Sequence, residues 1–345
     1  MEFIEPRLID DIIHPADIED LERSYLTWFT NGWKSDGRLP YEYGHGQHYI
    51  GRPSKNLCID LTLLPRFKRE HGQLLQVFDS IQEIIGPRGL FRCYAKSYHY
   101  GQDAYQHTDL TGSFTMPDGT PRKEVDEKVE GFETCIIYMT KDWKSDYYGH
   151  TVLYTPDDEL ALSIMPKYNR MFVFDSAQKH ASVPLSRMCP VNKNILVFNT
   201  IPSYQSDDGF NFLLKHCSDV THSGKPFIEH LWNVFETLEE MKAKPHVALA
   251  GLWHSAYGTV FYQKHDKSVF TRDKVKSFIG EEAEDLVYRF CELPKNRVEK
   301  IIELNDVELA YIEVANLLDQ NFNGRFNEDL AKLKLMTQQD YLWND

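Results

Sequence analysis

Hydrophobic and polar positions alternate in the middle of the chain and repeat with a helical period toward its end. Between residues 90 and 200, short apolar runs are separated by turn residues, which predicts strands. The predicted strands cover residues 91–100, 133–140, 151–154, 170–174 and 194–200. Several short strands at this spacing are typical of a β-sandwich or barrel.

Helical patterns flank this β region on both sides. Before it, residues 16–30 and 69–85 carry amphipathic patterns, and the second ends at Gly86-Pro87. After it, residues 228–241, 247–257, 281–291 and 307–318 repeat apolar positions with a helical period. Residues 41–51 and the charged insertion between residues 110 and 131 are predicted to be loops, and both are candidates for a lid over a binding site.

Length and composition set the domain count and exclude some partners. The chain has 345 residues, and about 150 residues per domain predicts two domains. We place the boundary near residues 203–209, which gives a domain of residues 1–204 with its core at about 90–200, and a helical domain of residues 205–345. The 52 acidic and 38 basic residues give a net charge of −14, which argues against a nucleic-acid partner.

Targeting patterns are not found in the sequence. No apolar run approaches the ~20 residues that span a bilayer, and the acidic N-terminus lacks a signal-peptide pattern. The six cysteines are far apart and form no CxxC motif, as expected for reduced thiols. We therefore expect a cytoplasmic protein without a membrane partner.

Metal-ligating side chains follow two of the predicted strands. His107 and Asp109 are two residues apart after a strand, so their side chains project to the same side. His180 follows another apolar strand further along the chain. Two histidines and one carboxylate can bind Fe(II) on one face and leave positions open for a cosubstrate and O₂. A surface turn at residues 107–109 and a structural histidine at position 180 are the alternative interpretations.

A lysine follows the second histidine. Lys193 opens the last predicted strand, where it shares one side with alternate apolar residues. On a buried side, its ammonium group would need a carboxylate partner, which a dicarboxylate ligand could supply. On the other side, it would simply face solvent.

Residues 90–200 resemble the Fe(II)/2-oxoglutarate-dependent dioxygenases of the prolyl-4-hydroxylase-like branch. The matching segments are residues 98–109, 149–154, 166–174 and 180–193, in the order of that family. The resemblance implies an α+β fold with a double-stranded β-helix (jelly-roll) and flanking helices. It implies that His107, Asp109 and His180 bind iron, and that Lys193 and Tyr98 bind the distal carboxylate of 2-oxoglutarate. Arg187 is an alternative cation, since the family usually has arginine at that position.

The resemblance also implies a reaction. Such an enzyme uses Fe(II), 2-oxoglutarate and O₂, with ascorbate as a reductant, and oxidises an unactivated C–H bond while it releases succinate and CO₂. Asp109 favours hydroxylation or another oxidation over halogenation, because halogenating relatives have a small residue there. We expect a small-molecule substrate.

The C-terminal region resembles the all-α HD-domain superfamily of metal-dependent phosphohydrolases and oxygenases. The matching residues are His222, His230 and His254 with the later Gly280-Glu-Glu segment, and Ser255 stands where that superfamily has aspartate. The three histidines could bind a second metal, or the domain could be degenerate and form a homodimer. Two other functions stay open, a metal-dependent hydrolase or diiron oxygenase centred on this domain and a non-catalytic cupin-like binding protein.

Overall fold

The computed structural model describes most of the chain in two compact units. The described residues are 5–21, 47–51, 57–100, 104–109, 131–202, 207–217, 220–222, 224–260 and 268–337, with the backbone alone described at 47–51, 104–105 and 222. The first unit comprises residues 1–53 and 57–206, and the second comprises residues 54–56 and 207–345. The predicted loop at 110–130 and most of the predicted helix at 16–30 lie outside the described residues, although residues 15–21 are helical.

Two antiparallel sheets form the first unit, as a jelly-roll requires. The larger sheet has the strand order β1-β8-β5-β10-β3-β2, and the smaller has the order β4-β9-β6-β7. The strands are β1 (Arg7–Asp10), β2 (Gln47–Gly51), β3 (Arg88–Tyr98), β4 (Ala104–His107), β5 (Glu133–Tyr138), β6 (Thr151–Tyr154), β7 (Leu160–Ile164), β8 (Arg170–Asp175), β9 (His180–Ser182) and β10 (Lys193–Pro202).

Apolar side chains from both sheets fill the space between them. Tyr94, Phe172 and Val197 of the larger sheet pack in one cluster with Leu153 and Ile164 of the smaller sheet. Side chains alternate along each strand, so the other residues of the larger sheet point away from this interior. The interior is therefore a closed apolar space, into which polar side chains enter only at particular positions.

The outer face of the larger sheet is covered by a helix. Helix α1 (Pro65–Glu70) precedes α2 (Gly72–Ile85), and the ring of Phe78 on α2 stacks on Phe198 of β10 at 6.1 Å. Helix α2 ends at Gly86, whose positive φ of 90° is readily adopted by glycine. Because both faces of the larger sheet are buried at β10, the sequence of this strand is a nearly continuous apolar run.

The structure differs from the predicted elements at two places in this unit. The predicted loop at 41–51 is wrong over Gln47–Gly51, because these residues pair with β3 as an edge strand despite their polar and glycine-rich composition. The predicted single helix at 69–85 is wrong at its start, because His71 adopts a non-helical φ of −130° and separates α1 from α2. The first difference comes from tertiary pairing, which a local pattern does not report.

The second unit is mainly helical. Its helices are α3 (Asp208–Cys217), α4 (Phe227–Glu240), α5 (Pro245–Trp253), α6 (Arg272–Cys291), α7 (Arg297–Leu304), α8 (Val307–Gln320) and α9 (Asn327–Thr337), with a short hairpin of β11 (Thr221–His222) and β12 (Lys225–Pro226). Helix α6 is broken at Gly280, whose φ of 78° and ψ of 172° are non-helical. The part after this break agrees with the predicted helix at 281–291, whereas the part before it, which Thr271 caps, was not predicted. The HD-like topology stays a prediction.

The sequence predicts free cysteines and no membrane-spanning segment. All six cysteines lie in the described ranges and are free thiols, with five of them buried. Among the residues that the structure describes, no helix is long and apolar enough to cross a membrane.

Candidate metal centre and the surrounding polar groups

Three residues predicted to bind metal converge inside the first unit. The end of β4 pairs with the start of β9, so that His107 lies directly opposite His180, with ring centroids 4.3 Å apart. Asp109 follows β4, and its Oδ2 lies 3.7 Å from Nε2 of His180. One ligand atom from each of the three residues lies within 4.8 Å of the others, a spacing at which they could share one metal ion.

The position of Asp109 is fixed by hydrogen bonds on every side of its carboxylate. Arg92 donates from Nη2 to Oδ1 at 2.9 Å, and Thr134 donates from Oγ1 to Oδ2 at 2.7 Å. Its backbone N–H donates to the carbonyl of Ser176 at 3.0 Å. The aspartate is therefore held by its neighbours before any metal binds, which preorganises it as a ligand.

Thr134 is the centre of this hydrogen-bond network. Its hydroxyl donates to Asp109, accepts from Nδ2 of Asn199 at 2.9 Å, and lies 2.9 Å from the hydroxyl of Ser176. Asn199 in turn accepts from Nε of Arg92 at 2.6 Å. A hydroxyl has one donor and two acceptor sites, so the three contacts use the full capacity of the Thr134 side chain.

The tautomer of His180 follows from its other hydrogen bond. Nδ1 lies 3.0 Å from the carbonyl oxygen of Gln178, which can only accept, so Nδ1 carries the proton. Nε2 then has its lone pair on the side of Asp109. The ring also meets Phe174 edge-on at 4.8 Å, and the side chain is 5% exposed. Metal-ligating histidines commonly have this arrangement of a carbonyl behind and an apolar wall beside them.

Electrostatics favour a charged carboxylate at position 109. Burial raises the pKa of Asp109, but the nearby His180, Arg92 and His107 outweigh burial and hold the pKa below its usual value. One carboxylate and two imidazoles that can each offer a nitrogen lone pair form the donor set that suits Fe(II). The residues present therefore fit the metal that the sequence resemblance implies.

Lys193 lies in the same interior, as the second half of a predicted binding site. Its side chain is 1% exposed, and its ammonium group donates to the carbonyl of Gly149 at 2.9 Å and to the hydroxyl of Ser182. The same group lies 4.2 Å from the ring centroid of Tyr98, which is opposite Lys193 in the β3–β10 pairing. Gly149 has a φ of 71°, and a Cβ there would lie 2.6 Å from Leu185, so glycine is needed to present this carbonyl.

Arg187, the alternative cation, is not brought to this site. It is exposed, whereas Lys193 is fully buried beside Tyr98. The structure adds three residues that the sequence did not single out, Arg92, Thr134 and Lys96. Arg92 and Lys96 alternate with Tyr94 and Tyr98 along β3, and this spacing is the sequence signal that could have revealed them.

The second unit brings two of its three predicted histidines together. Nε2 of His230 and Nε2 of His254 are 3.3 Å apart, and the side chains are 1% and 2% exposed. Nδ1 of His230 lies 2.5 Å from Asp319 Oδ2, and Nδ1 of His254 lies 2.7 Å from the carbonyl of Gly251. Both residues line a cavity of about 450 Å³, as does Ser255. The side chain of His222 lies outside the described residues.

Comparison with protein families agrees with the first of these sites. Residues 91–200 match the family model described as the 2OG-Fe(II) oxygenase superfamily, so this part of the chain contains a 2OG-Fe(II) oxygenase domain. Residues 213–295 match a domain of unknown function (DUF6817). No curated protein sequence matches the chain.

Several solved structures are similar to the chain at low identity. A Pseudomonas putida prolyl-4-hydroxylase is 12% identical, with a TM-score of 0.38, over 57% of this chain and 92% of that one. A Trichoplax adhaerens prolyl hydroxylase, in complex with a hypoxia inducible factor peptide fragment, is 17% identical, with a TM-score of 0.37, over 56% and 83%. HygX from Streptomyces hygroscopicus, with nickel and 2-oxoglutarate bound, is 10% identical, with a TM-score of 0.36, over 58% and 83%.

Proposed function

We propose that the protein is an Fe(II)- and 2-oxoglutarate-dependent oxygenase that oxidises an unactivated C–H bond of a small molecule and releases succinate and CO₂. The observation that carries this proposal is the convergence of His107, Asp109 and His180 in an interior that also contains the buried Lys193. The match of residues 91–200 to the oxygenase family model favours this function over the hydrolase and over the cupin-like binding protein.

Different side chains of the site would bind the iron and the cosubstrate. His107, Asp109 and His180 would hold the iron, and Arg92 and Thr134 orient the aspartate. Lys193 and Tyr98 would hold the distal carboxylate of 2-oxoglutarate at a point that water does not reach. The bound iron would supply the activation of O₂ and the oxidising power, while the protein supplies position and a dry environment.

The third ligand and the net charge bear on the type of oxidation and of substrate. The presence of Asp109 as a third ligand supports hydroxylation or a related oxidation rather than halogenation. A small molecule is preferred over a nucleic acid because the chain carries a net charge of −14. The proposal also includes a cytoplasmic location, ascorbate as reductant and a homodimer through the helical unit.

An anaerobic titration tests the proposal. Purified protein with Fe(II) should develop a visible charge-transfer band when 2-oxoglutarate is added, and His180→Ala should abolish it. His14→Ala is a matched control, because His14 is an exposed histidine of the same unit and should leave the band intact. Absence of the band in the unmodified protein would refute the proposal. If the band is present, a screen for succinate formation would identify substrates.

We also propose that His230 and His254 hold a second metal ion in the helical unit. A carboxylate and a carbonyl can only accept, so both Nδ1 atoms carry protons, and the two Nε2 atoms that face each other across 3.3 Å are left to share either a proton or a cation. Zn–N bonds in tetrahedral geometry place two nitrogen ligands about 3.3 to 3.4 Å apart, which agrees with the observed spacing.

Metal analysis of a variant tests this second site. A protein with His107→Ala and His180→Ala should retain one equivalent of zinc or cobalt, and adding His254→Ala should remove it. If the double variant binds no metal, the two imidazoles share a proton instead, and the second site is refuted.

A further inference from the structure

A row of four polar and aromatic side chains on β3 faces the interior of the first unit. Because side chains alternate along a strand, Arg92, Tyr94, Lys96 and Tyr98 point to one side. Arg92 contacts the metal-ligand Asp109 at one end of the row, and Tyr98 pairs with Lys193 at the other. The row therefore runs from the candidate metal centre to the candidate carboxylate site.

Lys96 is the charged member of this row to which neither the resemblance nor the metal centre assigns a role. Its side chain is 4% exposed, and its Nζ lies 4.7 Å from the ring centroid of Tyr98. Lys193 approaches the same ring to 4.2 Å. Two ammonium groups therefore lie within 5 Å of the centre of one aromatic ring, in a part of the protein closed to solvent.

The described residues supply these two lysines with no carboxylate of their own. Asp109 is the acidic group that acts on Lys96, and it is already paired with Arg92 at 2.9 Å. The nearest charge that acts on Lys193 is Lys96, which repels it. Burial is the main cause that lowers the pKa of both lysines to about 7, and a neighbouring positive charge adds to it in each case, Arg92 at Lys96 and Lys96 at Lys193.

Two buried ammonium groups without a carboxylate partner are suited to an anion that arrives with the ligand. Buried charges are stable when they are paired and hydrogen-bonded, so a carboxylate placed at Tyr98 would stabilise both ammonium groups at once. Both ammonium groups lie beside the Tyr98 ring, so a ligand carboxylate near this ring would be close to each of them. Lys193 alone would suffice to bind a carboxylate, so the burial of Lys96 beside the same ring indicates a further role.

We infer that Lys96 is a second cosubstrate-binding residue, which holds the distal carboxylate of 2-oxoglutarate together with Lys193 and thereby selects a dicarboxylate. This inference rests on the proposed function and extends it to a residue outside the resemblance. A 2-oxo acid that lacks the distal carboxylate, such as 2-oxobutyrate, would leave both lysines without a partner and would bind weakly.

Calorimetric titration of the Mn(II)-loaded full-length protein tests the inference without turnover. Lys96→Met keeps the length of the side chain and removes its charge, and it should weaken 2-oxoglutarate binding by about 10-fold or more, the loss expected for one charge-assisted hydrogen bond. The affinity for 2-oxobutyrate should change by less than about 2-fold on the same principle. Lys144→Met is the matched control, because Lys144 also lies over a tyrosine ring, that of Tyr147, but is exposed.

The titration distinguishes a failure of the role of Lys96 from a failure of the proposed function. An unchanged Mn(II) affinity shows that Lys96→Met is folded around its metal centre. If that variant binds 2-oxoglutarate as tightly as the unmodified protein while Lys193→Met does not, Lys193 acts alone and the inference is wrong. If 2-oxobutyrate binding falls as much as 2-oxoglutarate binding, Lys96 acts on the metal side, and the inference is again wrong. Failure of the unmodified protein to bind 2-oxoglutarate would instead refute the proposed function.

Discussion

Replacing Thr134 with valine removes one hydroxyl from the centre of the network around Asp109 and leaves the shape of the side chain almost unchanged. Thr134 is fully buried, and its hydroxyl contacts Asp109, Asn199 and Ser176 at 2.7 to 2.9 Å. The variant therefore leaves a buried carboxylate oxygen, an amide N–H and a serine hydroxyl each short of one partner. It tests whether this network prepares the aspartate for a metal.

The expected magnitude follows from these contacts. A hydrogen bond to a charged group contributes about 1.5–3 kcal/mol and a neutral one about 1 kcal/mol. The Ser176 hydroxyl can rotate toward Asp109 and recover part of this loss, so we expect the metal-free protein to lose about 2–4 kcal/mol of stability. Metal affinity should fall by about 10- to 100-fold, as is usual when the partner of a ligating carboxylate is removed.

Two measurements check this prediction. Urea denaturation of the metal-free protein reports the change in unfolding free energy, and calorimetric titration with Mn(II) reports the change in affinity. Thr134→Ser is the matched variant, because it keeps the hydroxyl, and its Mn(II) affinity should stay within about 3-fold of the unmodified protein. Equal Mn(II) affinities for the valine and serine variants would show that the hydroxyl does not prepare Asp109, and the reasoning would fail.

Three further predictions test other parts of the first unit. Arg92→Met should lower Mn(II) affinity by about 10- to 100-fold in the same titration, and Arg92→Lys should recover part of the loss because it restores a charge without the planar fork. The lowered pKa of Lys193 means that its ammonium loses the proton above a pH of about 7, so 2-oxoglutarate affinity should fall as the pH rises through that value, and Lys193→Met should weaken this dependence. Leu153→Ala should cost about 2–5 kcal/mol in urea denaturation because Leu153 is fully buried between the sheets, whereas Leu160→Ala, at a side chain 62% exposed, should change stability by less than about 0.5 kcal/mol.

The parts of the fold that could be predicted from the sequence are those with a strong local period. The strand at Thr151–Tyr154 agrees with its prediction residue for residue, and β5, β8 and β10 lie within two residues of theirs at each end. Burial of the larger sheet on both faces made these strands long apolar runs, which are easy to recognise. The edge strand Gln47–Gly51 carried no such pattern, since its pairing depends on the exposed edge of β3 rather than on its own residues.

The candidate metal ligands could be proposed from the sequence because ligand chemistry and spacing coincide at residues 107–109. Their supporting residues could not, because Arg92 and Lys96 are charged residues on a strand, a pattern that usually marks a solvent-facing side. Here the charged side faces inward, and the outward side of β3 carries Cys93, Ala95 and Ser97 instead. Both sides of β3 are buried, so the residues of the strand alone do not tell which side faces the space between the two sheets.

The distribution of charge along β3 bears on how the proposed ligand would be oriented. One end of the row has an aspartate balanced by Arg92, and the other end has two lysines without a carboxylate, with Tyr94 between them. In an interior with a low dielectric constant, this difference in charge between the two ends of the row acts more strongly on a ligand than it would in water. A dianion with one carboxylate at the metal and the other at the lysines would neutralise positive charge on the metal ion and on the lysines. The reverse orientation of an unsymmetrical ligand would place its keto group away from the metal. The charges on β3 would therefore select both the length and the direction of the ligand.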